Sequence, residues 1–303
     1  MLPIECAGDL DERFDHVVCT GVLHHLDDPD AGLRALRGAL APGGALHVMV
    51  YAPYGRAGIY MLQEYARRPG IGWQPSEIHD LAETLRALPP GHPLVPLLET
   101  SPDFASAAGL ADALLHPRDR AYSVPHLMEY LERGGLRFGR WIRQAPYLPD
   151  CGAPAATPHA PALANLTAAA QYAAMELFRG TMVRHALAAY RDDGAAPNVD
   201  FDGCRWHDYV PVRLPGTIAV REGIPADAAA VLINRNHQDT DLYLPIDAAA
   251  ARLLEAVDGR RTIAEICSGP ADLEIARSLF ERLWRWDQVV FDTSSAWADP
   301  PRN

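Results

Sequence analysis

The sequence predicts an α/β fold: part of an open sheet carrying a helical insertion, followed by a small α+β domain. Three observations carry this expectation. Residues 14–51 read as strand, polar bend, helix, turn and strand. Residues 52–122 are helical in character but broken by prolines 53, 69, 75, 89, 90, 93 and 96. After residue 199, short apolar runs alternate with capped helical stretches.

The elements follow in order. Residues 16–19 form a short apolar run suited to a buried strand. Asp30 is expected to cap a helix in which Leu33, Leu36 and Leu40 recur at helical spacing. Pro42, Gly43 and Gly44 then stop the helix and turn the chain. Residues 46–50 form a second strand, so the unit is βαβ with its strands in parallel. Ser123 is expected to cap a helix holding Leu127, Tyr130 and Leu131, ended by Gly134 and Gly135. Residues 136–144 alternate weakly and return to the sheet. Residues 146–161 are a Pro/Ala-rich connector, and 163–190 read as one long helical stretch with Gly180 as its weak point. The acids, glycine and proline of 192–198 mark a boundary. Beyond it, 218–220, 231–233 and 242–244 are strand candidates. Asp247 and Thr262 cap two helices, a third runs from about 273 to 286, and 289–291 form a closing strand. The expected divisions are therefore 1–150, 151–198 and 199–303, with the insertion at about 52–122.

Composition excludes some classes of function. The 303 residues are 49% hydrophobic and 22% charged, with a formal net charge of −12. All 27 basic residues are arginine. An acidic chain without a dense arginine cluster is a poor ligand for nucleic acid or anionic membrane. The five cysteines are scattered and form no CxxC, which argues against a disulfide framework or zinc ribbon and fits a reducing cytoplasm. No apolar run reaches about 18 residues, so no membrane span is expected. His207 and Asp208 are adjacent and would face opposite ways on a strand, so no metal site is expected there.

The stretch FDHVVCTGVLHHLDDPDAGLRALRGALAPGGALHVMVY resembles the middle of a class I S-adenosylmethionine-dependent methyltransferase. It corresponds to the fourth strand, the helix after it and the fifth strand. Pro3-Ile4 resembles that family's LP[FI] stretch near the adenine. The resemblance implies a Rossmann-like sheet and S-adenosylmethionine as cofactor. It places Cys19, Thr20, Gly21 and Val22 along the cofactor cleft. It makes His24 the candidate catalytic side chain, positioning or deprotonating an acceptor, or else ordering the loop through a hydrogen bond. Gly21 either lets backbone approach a ligand or merely permits the turn. His25, Tyr51, Tyr54 and Arg56 are candidates to face the acceptor, a small molecule or a peptide.

The same family places a glycine-rich loop and an acid before this stretch. Only thirteen residues precede Phe14 here, and no GxGxG occurs anywhere. The expectation is a chain that begins at an internal Met of a longer protein. The alternatives are a methyltransferase-derived binding or regulatory protein without catalysis, and complementation by a separate N-terminal chain. The C-terminal region, with IDAAAARLLEAVDGRRTIAEI at its head, resembles small winged-helix modules of the PqqD-like type.

Overall fold

The computed structural model describes residues 3–194 and 199–294. Its contacts divide the chain into two compact units, Met1–Gly139 with Glu176–Ala195, and Arg140–Met175 with Ala196–Asn303. These contact boundaries lie at 139/140, 175/176 and 195/196, whereas the sequence reading set its divisions at 150 and 198. The stretch read as one connector is shared between the units, and part of it, 195–198, lies outside the described residues.

The first unit opens with a 3-10 turn, Ile4–Asp9, and then strand β1, Phe14–Thr20. Helix α1, Pro29–Ala39, leads into strand β2, Leu40–Tyr51. Asp28, not Asp30, caps α1: its carboxylate accepts from the Ala31 N–H at 2.9 Å. Pro29 follows, tolerated because the first helical N–H has no partner to lose. β1 and β2 pair in parallel, with Val17 opposite Leu46 and Thr20 opposite Met49. The expected Pro-Gly-Gly turn is present as an irregularity inside β2. From Phe14 to His16 the partner residue jumps from Leu40 to Ala45. Gly44 is required there, since a Cβ would lie 2.8 Å from the Phe14 carbonyl oxygen.

The insertion contains α2 (Ala57–Arg67), α3 (Pro75–Arg86), α4 (Val95–Thr100) and α5 (Ala107–Leu115). These pack on one another through Ile59, Leu62, Leu81, Leu85, Leu94 and Leu114. Helix α6, Val124–Arg133, and strand β3, Leu136–Trp141, follow. Ser123 occupies the position before α6 but makes no side-chain cap; the Val124 N–H donates instead to the buried Glu176 carboxylate at 2.8 Å.

Residues 163–190 are not one helix. They contain the end of α7 (Ala160–Ala164), then α8 (Ala168–Arg179) and most of strand β4 (Arg184–Arg191). Gly180, at φ +64°, ends α8 in the left-handed conformation that favours glycine. Beyond it, burial alternates along β4, which runs antiparallel to β2 with Leu187 opposite Val48. Alanine-rich sequence favours helix locally, but the slot beside β2 selects strand. The sheet is mixed, in the order β1-β2-β4-β3, with β1 and β3 at its edges.

In the second unit, β5 (Val210–Arg213) pairs antiparallel with β9 (Val289–Asp292). Strands β6 (Thr217–Val220), β7 (Ala230–Asn234) and β8 (Tyr243–Ile246) form a separate three-stranded sheet. Helices α9 (Ala248–Glu255), α10 (Ile263–Ile266) and α11 (Pro270–Arg285) complete it. Asp247 caps α9, and Thr262 with Glu265 forms a capping box on α10, as expected. β5 escaped the sequence reading because Pro211 interrupts a four-residue run. Residues Arg205–Asp208 form a 3-10 turn rather than a strand, with Trp206 in the core. Among the described residues, no helix is long and apolar enough to cross a membrane.

Candidate functional site

The site lies in the first unit, where β1 and β2 end. β1 stops at Thr20, and Gly21 takes φ +73° while its N–H donates to the Met49 carbonyl at 3.2 Å. That bond ties the bend to β2. A short 3-10 turn, Leu23–His25, then turns the two histidines beneath the bend. The segment after α5 closes over them. Arg120 N–H donates to the His24 carbonyl at 3.2 Å, and Tyr122 N–H donates to the Tyr51 carbonyl at 2.9 Å.

His24 is fully buried. Its ring lies 3.9 Å from the Tyr51 ring centroid and 4.2 Å from that of His25. Neither ring nitrogen has a hydrogen-bond partner among the described residues. Burial, joined by the neighbouring charges of His25, Arg56 and His116, pushes its pKa down to about 3. It is therefore a neutral imidazole at any ordinary pH.

The Arg56 guanidinium lies 3.5 Å from the Tyr51 ring centroid. Two planar groups this close to one centroid must cover opposite faces, so Tyr51 is sandwiched between His24 and Arg56. Arg56 immediately precedes α2. It donates to the Asp119 carboxylate at 2.8 Å and to the Tyr60 hydroxyl at 3.2 Å. Gln63 donates to the same carboxylate oxygen at 2.8 Å. Arg56 and Asp119 side chains are 3% and 2% exposed, and the other carboxylate oxygen has no partner among the described residues. Burial works against the Arg56 charge, but Asp119 and Tyr60 outweigh it and hold the pKa above its usual value. Burial, reinforced by Asp119, pushes the Tyr60 hydroxyl up to about 12.

The structure thus gathers His24, His25, Tyr51 and Arg56 from the sequence-based candidates. Thr20 and Val22 are exposed on the bend, with Gly21 between them partly covered. The Cys19 side chain is buried in the sheet, and burial pushes its thiol up to about 11, against a backbone hydrogen bond from Leu23. It remains an uncharged thiol. Tyr54 is exposed on the turn after β2, outside the buried cluster. Sequence reasoning missed Tyr60, Gln63, His116 and Asp119. Arg56, Tyr60 and Gln63 do fall at i, i+4 and i+7, a polar stripe on one helical face. Asp119 stands between two arginines in a loop and carries no such signal.

Residues 3–46 match a methyltransferase domain family. The match runs from the first 3-10 turn through β1, the bend and α1 into β2. An uncharacterized protein of Synechococcus sp. is 36% identical over 153 residues, covering 47% of this chain and 36% of that protein. An uncharacterized methyltransferase of Mycobacterium tuberculosis is 33% identical over 93 residues, covering 26% of this chain and 47% of its own. The chain therefore spans between about a third and a half of the curated relatives it matches. PKMT2 from Rickettsia typhi is similar in structure, with a TM-score of 0.62 at 14% identity, over 97% of this chain and 60% of that one. The same protein in complex with AdoHcy gives a TM-score of 0.58, over 94% of this chain and 60% of that one. At that identity the likeness establishes the fold.

An adenosyl cofactor would find at most one wall of a site here. The open backbone at Gly21 and the exposed Thr20 and Val22 suit an approach at the strand ends. A sulfonium cofactor supplies an activated methyl group. These residues would not enclose it by themselves.

Proposed function

We propose that this chain carries the acceptor-side half of an S-adenosylmethionine-dependent methyltransferase. The observation that carries this reading is the strand–bend–helix–strand unit itself, whose residues 3–46 match a methyltransferase domain family. The bend after β1 presents Gly21 beside an otherwise sealed polar cluster. Displacement at a methyl group needs alignment of donor and nucleophile and exclusion of water above all. The buried Tyr51–Arg56–Asp119 assembly is a rigid support for that alignment. The acceptor is a small molecule or a peptide.

The rest of the cofactor site belongs, in this proposal, on the open edge of β1. Phe14 and Val18 are exposed on that strand, and Val22 on the bend after it. A further strand with its glycine-rich loop would cover them and face Gly21. The C-terminal unit is proposed as a winged-helix-like module.

Two measurements test the reading. Translation of the frame upstream of Met1 is expected to give a strand, a glycine-rich loop and an acid; an immediate in-frame stop defeats the extension. Calorimetric titration with S-adenosylhomocysteine is expected to show micromolar binding to the extended protein and much weaker binding to these 303 residues. No binding to the extended protein defeats methyl transfer itself.

A further inference from the structure

The second unit carries a cleft of about 430 Å³, lined by residues of the 149–164 segment, by Gln171 of α8 and by Arg285 of α11. That volume falls within the range of small-molecule sites. Pro149, Ala155, Ala160, Pro161 and Ala164 give it a compact apolar lining. The segment that supplies them is tied in place. The Cys151 N–H donates to the Leu148 carbonyl at 3.2 Å, and the Ala153 N–H donates to the Asp241 carboxylate at 2.6 Å. Three polar side chains share the cleft, and each keeps an unused group. Arg285 Nη2 donates to Asp150 Oδ1 at 2.7 Å. Among the described residues nothing accepts from Arg285 Nε or Nη1, and nothing donates to Asp150 Oδ2. Gln171 spends both protons of its Nε2 on the Ala164 and Leu166 carbonyls, at 3.2 and 3.0 Å. That fixes the amide and leaves Oε1 as an acceptor with no partner among the described residues. Burial works against the Arg285 charge, but Asp150, with Cys151 and Glu281 nearby, outweighs it and holds the pKa above its usual value.

We propose that this cleft binds a small zwitterion, an α-amino acid with an apolar side chain. Its carboxylate takes the open Arg285 protons, and its ammonium takes Asp150 Oδ2 and Gln171 Oε1. Its side chain lies against the alanines and prolines. The charges select for a molecule that carries both signs. A carboxylate alone would set a second negative charge beside Asp150, and an amine alone would set a second positive charge beside Arg285. A zwitterion matches each charge with its opposite and leaves the Arg285–Asp150 pair intact. With 31% and 56% of their side-chain surface exposed, Arg285 and Asp150 are both reachable from solvent.

The test titrates this chain with L-leucine and follows the Arg285 Nε–H and the Gln171 side-chain amide by nitrogen–proton NMR. Both signals are expected to shift together, with a dissociation constant of about 1 mM or tighter. Isoamylamine and isocaproate, which keep the side chain and one charge each, are expected to bind about tenfold more weakly or worse. Arg285→Met keeps the apolar stem and removes the carboxylate's partner, and is expected to weaken leucine by a similar factor. Ala164→Leu fills the cleft from an exposed position and is expected to abolish the shifts while urea melts stay unchanged. The absence of any shift at about 10 mM leucine overturns the proposal. So does equal binding of a singly charged analogue, or leucine binding that Ala164→Leu leaves untouched. None of these readouts involves methyl transfer.

Discussion

At the residue scale, the site is defined by polar groups that are buried and only partly satisfied. Burying the Arg56–Asp119 pair costs desolvation of two ions, which the attraction and the added Tyr60 and Gln63 contacts offset. Such a pair is poor evidence for stability and better evidence for a fixed geometry. His24 offers a direct check. Its pKa falls from 6.5 to about 3 on folding. The unfolded chain therefore binds a proton that the native chain refuses, and stability rises with pH across that window. On acidification, His24 contributes a loss that begins near 6.5 and continues down toward about 3. His24→Gln is expected to reduce proton uptake on unfolding near pH 5 by about one proton. The measurement is the slope of unfolding free energy against pH, from urea melts. An unchanged slope would show that His24 is not held neutral.

At the element scale, the loop between β2 and α2 decides where Arg56 sits. Gly55 donates its N–H to the Met182 carbonyl at 3.1 Å, just before β4. A Cβ on Gly55 would lie 2.3 Å from that oxygen and 2.5 Å from the Thr181 oxygen. Both neighbours are backbone and cannot swing aside. Gly55→Ala is expected to cost about 1–3 kcal/mol in chemical denaturation. It should also lift Arg56 off Tyr51, read as a change in near-ultraviolet circular dichroism. A variant as stable as the parent with an unaltered spectrum would show that this contact does not place Arg56. β4 thus matters twice: it extends the sheet, and the turn leading into it seats the loop that carries the site.

At the scale of the whole molecule, the sheet has an open end. Among the described residues β1 pairs only with β2, and Val18 is 57% exposed on it. An apolar edge strand invites pairing with another chain unless something covers it. Sedimentation velocity is expected to show association of the 303-residue chain that grows with concentration and is reduced by Val18→Lys. Monomeric behaviour at every concentration, with or without the substitution, would show the edge to be harmless. The same edge is where the proposed cofactor half would dock, so adding the upstream strand should suppress association as well.

Local patterns were enough for the β1–α1–β2 unit, the α9 and α10 caps and the closing strand β9, because apolar spacing and cap chemistry act within a few residues. They also singled out His24, His25, Tyr51 and Arg56, since these follow strand ends where open α/β sheets place their ligands. Three things were decided only by the tertiary structure. Alanine-rich β4 became strand because a sheet edge was available to it. Asp119 found Arg56 across 63 residues of chain, a pairing that no local pattern encodes. The two histidines are held differently, one sealed behind Tyr51 and the other bonded to the Arg118 carbonyl, and burial is a property of the folded surroundings rather than of the residue.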